Sequence, residues 1–246
     1  MKIEKKPQKE VGSYISALMR TYFGKGPTSV HVTISRPFIT IHFRGFITPM
    51  EKFLLQQNEE RRVLETRDML MDNMKEEVIQ ELKSIGKLEL SEVYSDWNLE
   101  KKTGIVIGVI DEDVDRSKFK WPDGLSEKKF QEQLIKASIL TEKAPEEQET
   151  YWLDNRTILV RRSNFLLPIE KELIKHGHKE ELKWAKWQLE QKVLSDIEFE
   201  PLLNRIISET FLDWDFEDDL GYIVFILKPS NANIENIEDQ QDAQNN

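Results

Sequence analysis

The sequence predicts an α+β protein made of two α-β-β-α-β-β units, each a small antiparallel sheet with helices packed on one face. Three observations carry this expectation. The stretch Phe46-Ile47-Thr48-Pro49-Met50-Glu51-Lys52 returns as Phe165-Leu166-Leu167-Pro168-Ile169-Glu170-Lys171, 119 residues later. The pair Asp96-Trp97 returns as Asp213-Trp214, 117 residues later, and each Trp is followed seven residues on by a glycine, Gly104 or Gly221, that opens an apolar run. In both copies an alternating apolar pattern precedes the Pro-x-Glu-Lys stretch and a helical pattern follows it. Matches in the same order at nearly equal offsets indicate an internal duplication with one small deletion.

Val11, Tyr14, Ile15, Leu18, Met19 and Tyr22 recur at helical spacing and predict the first helix. Gly24-Lys25-Gly26-Pro27 ends it, because glycine accepts a left-handed cap and proline cannot continue a helix. Val30, Val32 and Ile34, then Ile39, Ile41 and Phe43, alternate with polar residues around Arg36-Pro37 and predict a β-hairpin. A loop from Ser35 to Phe38 pairs Ile34 with Ile39, Val32 with Ile41 and Val30 with Phe43, and sets His31 opposite His42 on the other face. Pro49 and Glu51 suit a helix start: proline needs no N–H in the first turn, and the carboxylate meets the positive end of the helix. The apolar stripe Val63, Leu70, Met71, Met74, Val78, Leu82 and Ile85 continues to Gly86, as one long helix or as two with a bend. Glu89 to Trp97 and Gly104 to Ile110 read as strands.

The second copy repeats the order. Phe130, Leu134, Ala137 and Leu140 mark a helix, and Thr150 to Leu153 with Thr157 to Arg161 mark a hairpin. Pro168 and Glu170 open a helix carrying Leu173, Leu182, Trp184, Trp187, Leu189 and Val193, with His176-Gly177-His178 as a polar bend. Arg205 to Trp214 and Gly221 to Leu227 are the last strands. The expected organisation is a first unit over 1–115, a polar linker over 116–126, a diverged second unit over 127–229 and a disordered Asn/Gln/Asp/Glu-rich tail over 230–246. A fused former homodimer is the expectation for two such units, packed as a pseudo-twofold pair within the chain, with further oligomerisation left open.

Composition narrows the function. With 39% hydrophobic and 33% charged residues the chain reads as globular with a highly charged surface. It has no cysteine, which excludes disulfide and thiolate chemistry and fits a reducing compartment. No apolar run approaches the roughly 18–20 residues that span a bilayer, and no apolar signal core follows the N-terminus, so a cytoplasmic location is expected. Residues 1–120 carry a net charge of +1 and residues 121–246 one of −11. A strongly acidic second half cannot neutralise phosphates, so nucleic acid is not an expected partner, and any anionic partner falls to the first unit.

Gly24-Lys25-Gly26-Pro27-Thr28 after an amphipathic helix, then a strand, the Phe-x-x-Pro-x-Glu-Lys helix start, a long charged helix and the strand end Ser95-Asp96 resemble the bacterial MpsC family. The resemblance covers residues 9–111, and 127–228 more weakly, since the second copy reads Thr141-Glu142-Lys143-Ala144-Pro145 at the turn. The family, long catalogued as a domain of unknown function, takes its name from a Na⁺-translocating, membrane-potential-generating system. The resemblance implies a tandem two-copy form and an accessory role beside a membrane transporter, with a protein partner and a location peripheral to the membrane through it. It supplies no catalytic residues.

Among candidate site residues, Gly24, Lys25, Gly26 and Thr28 are a possible anion-binding nest, weighed against a plain helix stop. The turn lacks the Gly-Lys-Ser/Thr ending of a P-loop. His31 and His42, with Arg44 nearby, are a candidate metal or anion pair, weighed against two histidines on a solvated face; Thr150 and Arg161 stand as their expected counterparts. Asp96 and Asp213 are read as turn caps, Trp97 and Trp214 as core-edge fillers, and Glu51 and Glu170 as helix-start charges. The acidic run Asp111 to Asp115 is not an EF-hand, because its sixth and twelfth positions are Arg116 and Pro122. No nucleophile–base set stands out. As the MpsC resemblance implies, the expectation is a non-enzymatic accessory or regulatory protein of a membrane ion, inorganic-carbon or membrane-potential system, with no metal or cofactor. The alternative is an anion or small-molecule sensor using the first unit.

Overall fold

A computed structural model describes residues 6–229, so the tail expected over 230–246 lies outside the described residues. The chain divides into two compact units between Asp115 and Arg116. Each is a four-stranded antiparallel sheet with helices, in the doubled α-β-β-α-β-β order.

In the first unit, α1 (Lys6–Phe23) leads into β1 (Ser29–Ser35) and β2 (Phe38–Arg44). The two strands pair in the register that their alternation requires, Val30 with Phe43, Val32 with Ile41 and Ile34 with Ile39. The helical stretch after Pro49 is two helices, α2 (Pro49–Gln56) and α3 (Glu60–Gly86), with Asn58 between them at φ 59°. Asparagine is one of the few residues with a side chain that tolerates the left-handed region. β3 (Leu90–Asn98) and β4 (Thr103–Ile110) complete the sheet, whose order is β1-β2-β4-β3. Val11, Ile15, Leu18 and Met19 of α1 and Met74, Val78 and Leu82 of α3 pack on the face that carries Ile39, Ile41, Phe43, Val93 and Val106. Burying each such side chain contributes about 1.5–3 kcal/mol. The other face is also buried at Thr40, His42, Tyr94, Ile105 and Ile107, so it is not the solvated face that alternation alone suggests.

The second unit has α4 (Glu127–Thr141), β5 (Glu147–Trp152), β6 (Thr157–Ser163), α5 (Pro168–Lys175), α6 (Lys179–Asp196), a short α7 (Glu200–Leu203), β7 (Ile207–Asp215) and β8 (Leu220–Leu227), with sheet order β5-β6-β8-β7. Its helix break falls at Gly177, φ 83°, which is 119 residues after Asn58. Phe130, Leu134 and Ala137 are buried, but Leu140 is 68% exposed, so the expected apolar face of α4 stops a turn early. Leu173 and Leu189 are exposed as well. Within the segment read as a linker, Phe119 is buried with its ring 5.0 Å from Tyr151, and Trp121 lies edge-on to Trp152.

The Trp…Gly spacing has a steric cause. Trp97 pairs with Gly104 across β3 and β4, and Trp214 with Gly221 across β7 and β8. A Cβ on Gly104 would come within 2.1 Å of the Trp97 ring, and one on Gly221 would meet Phe165 and Trp214 at 3.0 Å. At Gly104 a side chain would overlap the Trp97 ring, and at Gly221 it would crowd Phe165 and Trp214, so glycine suits both positions.

Candidate functional site

The turn after α1 is closed on itself. Lys25 Nζ donates to the Ile47 carbonyl at 2.8 Å, and the Thr28 amide and hydroxyl both donate to the Arg44 carbonyl, at 2.8 and 2.9 Å. A Cβ on Gly26 would stand 3.0 Å from the Ser16 carbonyl, so this glycine allows the turn to lie against α1. Gly24 holds φ +71° in open space. These contacts give the turn a structural task, and its lysine is engaged by backbone. His31 and His42 are register partners, yet His31 is exposed and His42 is 3% exposed. Arg44 points to solvent beside them. His42 aligns with Ile105 and Arg161 with Tyr222, one residue beyond Gly104 and Gly221, so Arg161 is the counterpart of His42. The partner of Arg161 on β5 is Glu149, which corrects the expected Thr150, and the two form an ion pair at 3.6 Å.

Asp96 and Asp213 stand directly before their tryptophans. Each accepts the amide of the following tryptophan, at 2.7 and 2.9 Å, and Asp213 also pairs with Lys183 at 3.3 Å. Within the turns themselves, Asn98 accepts from the Lys101 amide, and Asp215 accepts from the Glu217 and Asp218 amides.

Glu51 and Glu170 do more than open their helices. Thr48 and Glu51 form a reciprocal capping box: the Thr48 amide donates to Glu51 at 2.7 Å, and the Glu51 amide donates to the Thr48 hydroxyl at 3.2 Å. Leu167 has no hydroxyl, so only the Glu170 half persists, at 2.7 Å from the Leu167 amide. Both carboxylates then meet a buried cation on the next helix. Arg67 grips Glu51 with Nε at 2.7 Å and Nη2 at 3.0 Å, donates to the Phe46 carbonyl at 3.1 Å, and lies 4.6 Å from the centre of the Trp97 ring. The two-pronged contact fits the planar guanidinium to the carboxylate. Burial alone would push the Glu51 carboxyl up; the Arg67 hydrogen bonds and charge outweigh it and hold Glu51 below its usual range.

In the second unit Lys186 takes the place of Arg67. Its amine lies 3.0 Å from Glu170, 3.8 Å from Glu190 and in a short contact with Glu142. Arg162 on β6 joins it, reaching Glu142 at 3.0 Å, Glu190 at 2.7 Å and the Ser138 hydroxyl at 3.3 Å. The side chains of all five ionisable residues are at most 9% exposed. Burial would lower both cations; the charges of Glu190 and Glu142 overcome it and raise them. Burial and the neighbouring Glu190 push Glu142 up to about 7, against the pull of Arg162 and Lys186. A narrow cleft with about 190 Å³ of empty space, part of it open to solvent, is lined by Ser138, Thr141, Arg162 and Glu190 among apolar residues. Among the described residues, no group of three or more His, Cys, Asp or Glu is arranged to hold a metal ion.

A family model described as "Na+-translocating membrane potential-generating system (MpsC)" matches residues 4–112 and again residues 125–229. The chain belongs to the MpsC family. No curated protein and no solved structure matches it. The two MpsC copies coincide with the two structural units, so the tandem form is a property of fold and sequence together.

The buried ion pairs of the MpsC copies escaped sequence reasoning, although a signal was present. Glu51 and Arg67 are 16 residues apart, and so are Glu170 and Lys186. Each cation also sits inside an apolar stripe, Val63–Arg67–Met71–Met74 and Leu182–Lys186–Val193. A charge repeated at a core position in both copies is unlike the solvated charges around it.

Proposed function

We propose that the protein is a non-enzymatic accessory or regulatory component of a Na⁺-translocating, membrane-potential-generating system. In this reading it is cytoplasmic and peripheral to the membrane through a protein partner. The observation that carries it is the family match, which spans both units. No helix of the described residues is long and apolar enough to cross a membrane, so this reading gives the ion path to the partner. In each unit a buried cation–glutamate contact sits in the core, where it positions helices on the sheet. That arrangement suits a module that binds and holds a partner.

The test has two arms. The full chain carries an affinity tag and is captured from detergent-solubilised membranes of its own cell. Vesicles from cells lacking the protein are then assayed for Na⁺-driven potential. The reading expects an integral membrane ion transporter to be retained through salt washes, and the potential to fall without the protein. Full potential in its absence, with no transporter retained, overturns it.

A further inference from the structure

The charge count of the second unit's core is uneven. Three carboxylates, Glu142, Glu170 and Glu190, face two cations, Arg162 and Lys186, all with side chains at most 9% exposed. Each element packed there contributes: Glu142 follows α4, Arg162 is on β6, Glu170 on α5, and Lys186 and Glu190 on α6. One cationic charge is lacking. An uncompensated charge at such burial is costly, and a carboxylate in that position takes up a proton instead. The contacts show where the deficit falls. Glu170 has Lys186 and the Leu167 amide. Glu142 has Arg162 on one oxygen and Lys186 on the other, whereas Glu190 shares Arg162 through Oε2 and its buried Oε1 has no hydrogen bond, with the Lys186 amine 3.8 Å away. The two carboxylates therefore draw on the same two cations, one of which Glu170 also uses, and this pair carries the excess negative charge.

We infer that the Glu142–Glu190 pair is a proton-binding site: the two carboxylates hold one proton between them while the region is closed, and losing it loosens the end of α4 and the turn that follows. Glu142 sits where this matters mechanically. Its amide donates the last bond of α4, to the Ser138 carbonyl at 2.8 Å, while its carboxylate ties that helix end to β6 and α6. When ionised, it adds a third negative charge beside two cations, and the simplest relief is for it to swing out toward the cleft lined by Ser138 and Thr141. The second unit is thus a pH-responsive element, whatever partner the first unit serves. Burial and the charge of Glu190, which raise the Glu142 carboxyl to about 7, agree with this geometry.

The sign follows from linkage. A carboxyl raised in the folded state binds a proton there before it does so in the open state. Its contribution to stability is complete below the ordinary glutamate range and is lost as pH rises through about 7. The opening of this region should become about tenfold more favourable per pH unit between about pH 5 and pH 7.

The test uses the full chain with ¹³C-labelled glutamate side chains. NMR follows the carboxyl resonances from acid to alkaline pH, and hydrogen exchange reports the opening of residues 138–146. The expected result is one carboxyl titrating near neutrality that disappears in Glu142→Gln. The Glu190→Gln variant keeps that resonance and moves its midpoint to lower pH, because the competing charge is gone. Exchange at the end of α4 should rise with pH beyond the intrinsic rate in the wild type and not in Glu142→Gln. No carboxyl titrating near neutrality, or one that persists unchanged in Glu142→Gln, overturns the proposal. So does a midpoint indifferent to Glu190→Gln, which a merely structural Glu142 would give.

Discussion

In the first unit Arg67 meets one carboxylate, Glu51, with the Phe46 carbonyl and the rings of Phe46 and Trp97 beside it. In the second, Lys186 stands 119 residues on, but its neighbourhood has changed character. Phe43 pairs with Gly104 where Arg162 pairs with Gly221, and Met71 lies 119 residues before Glu190. Two apolar core residues of one copy are thus an ion pair in the other. With prolines 27 and 145 aligned, Gly24 of the first copy stands where Glu142 stands in the second. The same backbone accommodates a balanced pair, one to one, and an overloaded cluster, three to two. A fold of this kind specifies where a buried cation–glutamate contact must be, and leaves open how many charges gather round it. The excess carboxylate makes the second core sensitive to rising pH, where the first loses stability only in acid.

The largest expected effect comes from removing a cation. Lys186→Met leaves three buried carboxylates on Arg162 alone, and the loss should exceed the about 3–5 kcal/mol that breaking a buried pair costs. Denaturant melts at alkaline pH would show it, with partial recovery in acid as the carboxylates protonate. Arg67→Met should cost about 3–5 kcal/mol, because only Glu51 is stranded. If the two losses were equal, the difference in charge count would have no energetic meaning.

Trp97→Ala and Trp214→Ala should each cost about 3–5 kcal/mol in the same melts. Trp97 is 1% exposed and Trp214 6%, so the first loss should be the greater. Each indole covers a glycine, and the smaller side chain leaves a cavity over the strand. A near-neutral Trp214→Ala would show that the second sheet does not depend on this contact.

At the turn the effects are smallest. Lys25→Ala removes one hydrogen bond to the Ile47 carbonyl and should cost about 0.5–1.5 kcal/mol. Lys143→Ala should cost less. The same substitutions separate the units by function: partner capture should weaken with Lys25→Ala and Gly26→Ala together and hold with Lys143→Ala. The reverse pattern would give the partner surface to the second unit.

The duplication and the order of elements along the chain were legible because they rest on repeated residues and on alternation, which are local properties. Hairpin register followed from the alternation of Val30, Val32 and Ile34 with their partners. The break at Asn58 was harder to place, since asparagine is an ordinary helix-surface residue until its φ is seen. The charged core was hidden for a different reason. Glu51 and Glu170 already have a sufficient explanation as helix-start charges, and Glu142 and Glu190 look like two more surface acids in an acidic half. What buries them is the convergence of α4, β6, α5 and α6, a tertiary fact that composition does not carry. Spacing between the copies was the one usable trace, and it points to Lys186 through Arg67.

The comparison between the cores is tested most directly by giving the second unit the residue of the first. Glu190→Met restores the methionine that Met71 supplies and leaves two carboxylates on two cations. Hydrogen exchange would be measured across pH for each unit separately, in the wild type, in Glu190→Met and in Glu51→Gln. The second unit of the wild type should open more readily as pH rises through about 7, and Glu190→Met should abolish that slope. Glu51→Gln should leave it unchanged, because the first unit's pair loses stability only as pH falls below the ordinary carboxylate range. A slope that survives Glu190→Met, or one that appears equally in both units, would contradict the account.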